Sequence, residues 1–180
     1  KVPYHNRRLL AQLLGLPEDR VDLVENDVGG GFGVRGEFYP EDFLVPFAAR
    51  MLDRSVRWIE DRRENLMATN HSREAECEIE IACEMDGRIR GLRARSIVNI
   101  GAYIRTTGST QPRNVAQVLP GPYRIENVCS EVTLVVSNKT PSGTYRGPGR
   151  YEADFFRERM LELAARDLGI DPVEFRRRNL

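Results

Sequence analysis

The chain has 180 residues, of which 41% are hydrophobic and 30% charged, enough for one sizeable domain or two small ones with a packed core. Its 27 basic and 27 acidic residues cancel, and no apolar run reaches bilayer length, so nucleic-acid and membrane roles are disfavoured. The three cysteines, Cys77, Cys83 and Cys129, are odd in number and lack metal-ligand spacing. We therefore expect reduced thiols in a cytoplasmic protein.

The first third of the chain predicts helices alternating with strands. Leucines at helical spacing predict a short helix from Asn6, and apolar alternation in "VDLVEND" predicts a strand over residues 21–27. A helix is expected from Pro40, where proline suits the first position, although Pro46 should kink it or delay its start. "SVRWIED", residues 55–61, reads as a second strand.

The middle of the chain predicts a β-hairpin. Apolar residues alternate on both sides of Asp86-Gly87, a dipeptide typical of tight hairpin turns, with a bulge expected near Gly91. A connection punctuated by Gly and Pro follows over residues 106–122, and "EVTLVVSNK" predicts a further strand.

The last part of the chain predicts two helices. "YEADFFRERMLELAARDLG" has an apolar face that includes Phe155, Met160, Leu163 and Leu168, and Gly169 ends it. Asp171 then caps a final helix. Antiparallel strands mixed with packed helices indicate an α+β fold, and both ends of residues 1–180 are expected to be truncated, as in a fragment of a longer protein.

The glycines Gly31, Gly33 and Gly36 fit the dinucleotide-binding pattern G-x-G-x-x-G. Predicted strands on either side, and acids at residues 60–61, favour an NAD- or FAD-binding turn. Against it, "EFYP" separates Gly36 from the helix that should open at the glycines, and a hairpin follows where a βαβ unit should continue. A tight loop that needs positive φ angles is the favoured alternative.

Phe32 lies between these glycines, where a large aromatic ring has little reason to face solvent unless it covers a ligand. A second glycine-rich loop, "GTYRGPGR", places Arg146 before Gly147 and Gly149. A guanidinium group in such a loop can pair with phosphate or another polar oxygen, although on its own an ordinary surface salt bridge would explain Arg146. Two such loops that converge would form a site for a large anionic cofactor.

Three segments together carry a family resemblance: "DVGGGFGVRGEFYPEDFLVPFAARML", "WIEDRRENLMATNHSRE" and "TYRGPGRYEADFFRERMLELAARDLGIDPVEFRRRNL". The chain resembles the molybdopterin-binding subunit of the xanthine dehydrogenase and aerobic carbon monoxide dehydrogenase family, over essentially all 180 residues. The resemblance implies part of the first molybdenum-cofactor domain of a hydroxylase that oxidises a substrate carbon with oxygen from water. It also implies partner modules with [2Fe-2S] clusters and usually FAD, and an oligomeric assembly.

The resemblance assigns roles to the two loops. Gly30, Gly31, Phe32 and Gly33 match the loop that touches the molybdopterin, or its cytosine dinucleotide form, near the metal. Arg146 and Gly147 match the loop beside the cofactor. None of these residues is a metal ligand in the family. The family usually has a glutamine where this chain has Lys1, which is either a real change or an effect of where the fragment begins.

The resemblance also bears on the substrate. The purine-hydroxylating members have a glutamate where this chain has Gly36, an arginine where it has Cys129, and a stacking phenylalanine where it has Pro148. The carbon monoxide oxidisers have a cysteine where this chain has Gly147. An aldehyde or a non-purine N-heterocycle is therefore the expected small-molecule substrate.

No catalytic residue is assigned within the chain, because the family's base is a glutamate further downstream. Glu152 is interpreted as a solvated carboxylate at a helix start, and Trp58 as a core residue. Cys129 is interpreted first as a buried small side chain and second as a pocket wall. His5 and His71 are far apart and are not expected to bind a metal. A nucleotide-binding module and a non-catalytic scaffold remain the alternative functions.

Overall fold

The computed structural model describes residues 2–180. Lys1, at the position of the family's glutamine, lies outside the described residues. The chain forms two compact units. The first holds the described residues up to Asn70 together with Thr144–Arg146, and the second holds His71–Gly143 and Gly147–Leu180.

The regular structure described in the first unit is helical. Helix α1 spans Pro3–Leu14, α2 spans Pro40–Leu52 and α3 spans Arg62–Ala68, with 3₁₀ turns at Glu18–Arg20 and Val34–Gly36. α1 and α2 both carry proline in the first turn, where no intrahelical donor is needed. Gly15 ends α1 in a left-handed conformation. At the start of α3, the N–H of Asp61 donates to the Glu64 carboxylate, and the N–H of Glu64 donates to the Asp61 carboxylate.

The two strands predicted for this unit do not form, and the expected burial of Trp58 is wrong. Residues 21–27 and 55–61 are extended connections without strand pairing, because apolar alternation makes a strand only where another strand supplies hydrogen bonds. α2 begins at Pro40 and continues through Pro46, so of the two effects expected of Pro46 the delayed helix start does not occur. Trp58 is 46% exposed rather than part of the core.

The core of the first unit is small. Leu10, Ala11 and Val21 are buried, and side chains from the chain after α1 and from α2 pack against them, among them Phe38 and Phe43. α2 contains no buried residue, and its apolar side chains Leu44 and Met51 are exposed.

The second unit is built on a three-stranded sheet with strand order β1-β2-β3. β1 spans Ala75–Cys83, β2 spans Ile89–Asn99 and β3 spans Asn127–Val135. β1 and β2 form the predicted antiparallel hairpin, with a register shift after Ala82, which pairs with Gly91. β3 pairs with β2 in parallel. The α+β class expected from the sequence is confirmed.

The helices of this unit cover one face of the sheet. α4 spans Thr110–Val118, α5 spans Arg150–Leu168 and α6 spans Pro172–Arg178. α4 lies inside the connection for which no helix was predicted. Two core clusters form between the sheet and the helices; their buried members are Ile89, Leu92, Ala94, Leu119, Leu161, Ala165 and Phe175.

The inward face of α5 agrees with the prediction only in part, since Leu168 packs against the core but Phe155 does not. Phe155 is 67% exposed, whereas Ala153, Leu161 and Ala165 are buried. The small residues Ala153 and Ala165 let α5 approach its neighbours closely. The predicted ends of α5 and α6 are confirmed: Gly169 is a left-handed C-cap, and the Asp171 carboxylate accepts the N–H groups of Val173 and Glu174.

The opposite face of the sheet carries charged side chains. Arg93 pairs with Glu80, and Arg95 Nε lies 3.1 Å from Glu131 Oε2. These residues alternate along the strands with the buried Leu92 and Ala94, as successive side chains on a strand must.

A polar network joins α5 to α6. Arg157, Arg176 and Tyr123 all bind the Glu158 carboxylate, at 2.9 Å for each arginine Nε. Partial burial raises the pKa of Glu158, but the hydrogen bonds outweigh it and hold the pKa below its usual 4.5. The buried Asn179 side chain accepts the N–H of Ile89 and donates to two backbone carbonyls, which ties the end of α6 to the hairpin turn. No helix among residues 2–180 has the length and apolar character needed to span a bilayer.

Candidate functional site

The first glycine-rich loop, residues 29–36, lies in the first unit and presents Phe32 to solvent. Phe32 has φ 48° and a 60% exposed side chain. Gly30 has φ 132°, and a Cβ there would stand 2.5 Å from the Phe32 ring, so the ring occupies space that only glycine leaves. Positive φ at several positions of the loop is confirmed.

The Arg146 segment joins this loop within the same unit. The backbone N–H of Arg146 donates to the carbonyl oxygen of Phe32 at 2.8 Å. A Cβ on Gly33 would stand 2.5 Å from Thr144 Cγ2 and 3.0 Å from the Thr144 carbonyl oxygen. The first glycine-rich loop and the Arg146 segment therefore meet, and a main-chain hydrogen bond joins them.

Backbone and charge at the junction suit a polar anionic ligand. Gly29 and Gly31 have no heavy atom within 4 Å of where a Cβ would stand, so the main chain there is open to close approach. Arg35 and Arg146 are exposed and bring two positive charges to the same pair of loops. Phosphate and other anionic groups bind such combinations of open backbone and guanidinium. The residues present thus fit a molybdenum-pterin cofactor with its phosphate.

The C-terminal end of the first loop is fixed by Tyr39, which the sequence reading missed. The buried Tyr39 hydroxyl donates to the Val34 carbonyl at 2.9 Å and accepts the N–H of Asn70 at 3.3 Å. The N–H of Tyr39 donates to Asp42 and so starts α2. Glu37, one residue after Gly36, is fully buried and was also missed. A charged residue directly before the aromatic pair Phe38-Tyr39 was the available signal.

The residues that follow Arg146 belong to the second unit and are tightly packed there. A Cβ on Gly147 would stand 2.8 Å from the Tyr151 ring. Asn114 of α4 donates to the Pro148 carbonyl at 2.8 Å, and Gly149 lies directly against the α4 backbone. Asn114 could not be found from the sequence, because α4 was not predicted.

The three predicted substrate-pocket residues do not come together within one unit. Gly36 closes the 3₁₀ turn in the first unit. Cys129 is exposed in β3 opposite Arg93, on the charged face of the sheet. The Pro148 carbonyl accepts a hydrogen bond from α4, and Leu119 at the end of α4 packs on the other face of the sheet. The favoured interpretation of Cys129 as a buried side chain is wrong.

Glu152 is not the solvated carboxylate expected at the start of α5. It is 7% exposed, both carboxylate oxygens are buried without a hydrogen-bond donor, and Arg73 Nε lies 3.6 Å from Oε1. Among residues 2–180, no group of three or more His, Cys, Asp or Glu side chains is placed to hold a metal ion.

A comparison with known protein families assigns the chain that carries these two loops to one family. The chain matches the molybdopterin cofactor-binding domain over residues 1–180, and it belongs to that family. The dinucleotide-binding alternative is not supported: no strand leads into the glycines, and the helix that follows begins at Pro40.

Similar proteins are large subunits of molybdenum hydroxylases. The chain is 41% identical to the 6-hydroxypseudooxynicotine dehydrogenase complex subunit gamma of Paenarthrobacter nicotinovorans, covering 98% of this chain and 22% of that protein. It is 36% identical to the nicotine 6-hydroxylase large subunit of the same organism, covering 100% of this chain and 22% of that protein.

Among solved structures, quinoline 2-oxidoreductase from Pseudomonas putida 86 matches with a TM-score of 0.94 and 38% identity, covering 99% of this chain and 23% of that one. The chain thus spans between a fifth and a quarter of the length of these relatives.

Proposed function

We propose that the full-length protein is the large subunit of a molybdenum hydroxylase, and that this chain supplies the two loops that hold its molybdenum-pterin cofactor. The observation that carries the proposal is the hydrogen bond from the Arg146 N–H to the Phe32 carbonyl, which places an exposed ring and a guanidinium on one pair of loops.

The proposed reaction is hydroxylation of a carbon in a nitrogen heterocycle, with an aldehyde as the second substrate class. A substrate C–H bond is broken, water supplies the oxygen of the new C–O bond, and two electrons and two protons are released. The names of the similar proteins support a heterocycle, because nicotine and quinoline both contain one. Gly147 supports it too, since that position has no sulfur for the chemistry expected of a carbon monoxide oxidiser.

When bound, the cofactor supplies the two-electron acceptor for this oxidation. In this chain, the Arg146 guanidinium holds an anionic or polar oxygen of the cofactor, and the Phe32 ring covers an apolar part and excludes water. Gly30, Gly31 and Gly33 let the main chain approach, and Gly147 does the same on the other side of Arg146. Gly36, Cys129 and Pro148 stay predictions as substrate-pocket positions. The base that takes a proton is expected from sequence beyond this chain.

The finer expectations follow from the same proposal. The cofactor is expected as molybdopterin or its cytosine dinucleotide. Partner modules are expected to carry [2Fe-2S] clusters and usually FAD, in an oligomeric enzyme. Free Cys77, Cys83 and Cys129 favour a cytoplasmic location.

The test uses the full-length subunit purified with its partner subunits. Molybdenum by elemental analysis, released cytosine nucleotide and bound NAD are measured together with hydroxylation of nicotine, quinoline and an aldehyde. Near-stoichiometric molybdenum is expected; stoichiometric NAD without molybdenum would refute the proposal. Full assembly without either would favour the scaffold alternative.

The contribution of Arg146 is tested with Arg146→Ala against Arg166→Ala. Arg166 is an exposed arginine near the end of α5, paired with its neighbour Asp167. Arg146→Ala should lower the molybdenum content several-fold, since a charge-assisted contact is worth roughly 1.5–3 kcal/mol, while Arg166→Ala should leave it unchanged. Equal molybdenum content in both variants would remove the Arg146 side chain from the site.

A further inference from the structure

His71 binds residues 141–143, the segment that leads into the second glycine-rich loop. The N–H of His71 donates to the Pro141 carbonyl at 3.2 Å, and the N–H of Gly143 donates to the His71 carbonyl at 3.1 Å. His71 and Ser142 thereby form an isolated parallel bridge. This backbone pairing fixes the N-terminal flank of the loop, and it does not depend on the identity of the side chains.

Residues 71–73 also reach the C-terminal flank of the loop, through the side chain of Arg73. The guanidinium carbon of Arg73 lies 4.9 Å from the centre of the Tyr151 ring, a distance typical of a cation–π contact. Tyr151 in turn packs against Gly147, where a Cβ would stand 2.8 Å from the ring. The contact chain Arg73–Tyr151–Gly147 therefore ends on the backbone of the loop.

The buried carboxylate of Glu152 requires a positively charged side chain at position 73. Glu152 is buried, and neither of its carboxylate oxygens accepts a hydrogen bond, so the nearby Arg73 is the positive charge that compensates it at 3.6 Å. A buried carboxylate without a compensating charge is strongly unfavourable. Arg73 has φ 62°, a conformation that non-glycine residues adopt only where surrounding contacts impose it.

We propose that His71–Arg73 is a clip that closes the base of the second glycine-rich loop, and that Arg73 is a positioning residue for Gly147. One segment holds both flanks, at residues 141–143 by backbone pairing and at Gly147 by way of Tyr151. Both flanks of the loop are thus held before any ligand binds, which lowers the entropic cost of binding. That the ligand is the molybdenum-pterin cofactor rests on the proposed function.

The test compares Arg73→Gln with Arg95→Gln in the full-length enzyme. Arg95 is a matched control, since it also pairs with a glutamate but lies on the charged face of the sheet. Hydrogen exchange is measured for peptides covering residues 141–152. Loss of the clip should accelerate exchange there by about ten-fold or more in Arg73→Gln, with no change in Arg95→Gln.

Further variants separate the ring contact from the charge. Tyr151→Phe keeps the ring and should exchange like the wild type, and Arg73→Lys keeps the charge but loses the planar group, so it should be intermediate. Glu152→Gln added to Arg73→Gln should recover part of the loss, because the uncompensated carboxylate is then removed. A merely local folding defect would show no recovery.

Molybdenum retention gives the functional readout. The Arg73→Gln enzyme should lose molybdenum on dialysis about ten-fold faster than the Arg95→Gln enzyme, with kcat per remaining molybdenum little changed. Unchanged exchange at residues 141–152 in Arg73→Gln would overturn the clip. If the wild-type protein holds no molybdenum, the proposed function fails, while the exchange result still decides the clip.

Discussion

Gly149→Ala should promote local unfolding at the start of α5 far more than Gly169→Ala promotes it at the end of α5. Both glycines cap the same helix in a left-handed conformation, with φ 76° and 67°. A Cβ at Gly169 would meet nothing within 4 Å, whereas at Gly149 it would stand 2.6 Å from Asn114 Cβ and 2.9 Å from Val115 N. The two substitutions therefore share the backbone strain and differ in the steric overlap.

The magnitudes follow from these two contributions. Placing alanine in the left-handed region costs about 1–2 kcal/mol, which is the whole effect expected for Gly169→Ala. The overlap at Gly149 is with the backbone and Cβ atoms of α4, which cannot rotate away, and overpacking of this kind costs about 1–3 kcal/mol more. Gly149→Ala should therefore lower the local opening free energy by about 2–5 kcal/mol.

Hydrogen exchange of the full-length subunit measures this difference, because it reports local opening without requiring the whole protein to unfold in two states. Amides of α4 and of the first turn of α5 should exchange faster in Gly149→Ala, and amides near the end of α5 in Gly169→Ala. Equal losses of protection in the two variants would show that α4 does not confine Gly149, and the steric argument would be refuted.

Three further predictions concern single side chains. Gly33→Ala should reduce molybdenum content several-fold, because its Cβ would overlap Thr144, whereas Gly169→Ala, which also has positive φ but open space around the Cβ, should not. The pKa of Glu158 is lowered in the folded protein, so the carboxylate stabilises the fold at pH values above its usual pKa of 4.5. This stabilisation is lost as the pH falls through the lowered pKa. Glu158→Gln should therefore remove the acid-dependent loss of exchange protection in α5 and α6. Asn179→Ala should lower the local stability of α6 by about 2–4 kcal/mol, since three hydrogen bonds to buried backbone are lost.

Each of these has a distinct contrary outcome. Equal molybdenum content in the Gly33 and Gly169 variants would mean that the contact with Thr144 does not shape the site. A pH profile of exchange that is the same with and without the Glu158 carboxylate would remove it from the acid response. Exchange of α6 amides unaffected by Asn179→Ala would show that other contacts fix the end of that helix.

Local chemistry explains which elements the sequence predicted. The hairpin was predictable because Asp86-Gly87 specifies a tight turn and alternation on both sides fixes the face. The ends of α5 and α6 were predictable from Gly169 and Asp171 for the same reason. Residues 21–27 show the same alternation but have no partner strand, and pairing is not visible in a single segment.

α4 was missed because its proline was taken as a breaker. Pro112 is the third residue of the helix, where the backbone N–H has no intrahelical acceptor and its absence costs nothing. The burial of Glu152 was missed for a different reason. A carboxylate in the first turn of a helix normally faces water, and the cation that permits its burial is Arg73, far away in sequence.

The candidate site also has features that the sequence predicted and features that only the structure shows. The two glycine loops were recognisable from their residues and from the family resemblance. Their junction depends on one N–H of Arg146 and one carbonyl of Phe32, and no pattern of side chains encodes that contact. Asn114 and Tyr39, which hold loop carbonyls through their side chains, became visible only in three dimensions.

The carbonyl of Phe32, the N–H of Arg146 and the carbonyl of Pro148 are all main-chain groups, and every residue type supplies the carbonyl. Substitutions at residues 32, 146 and 148 can therefore exchange one side chain for another while these loop contacts persist. The side chains presented at these three positions can therefore change one at a time, without first rebuilding the backbone contacts of the loops. Gly33 and Gly149 have no such freedom, because a Cβ at either position would overlap Thr144 or α4, so neither should accept substitution.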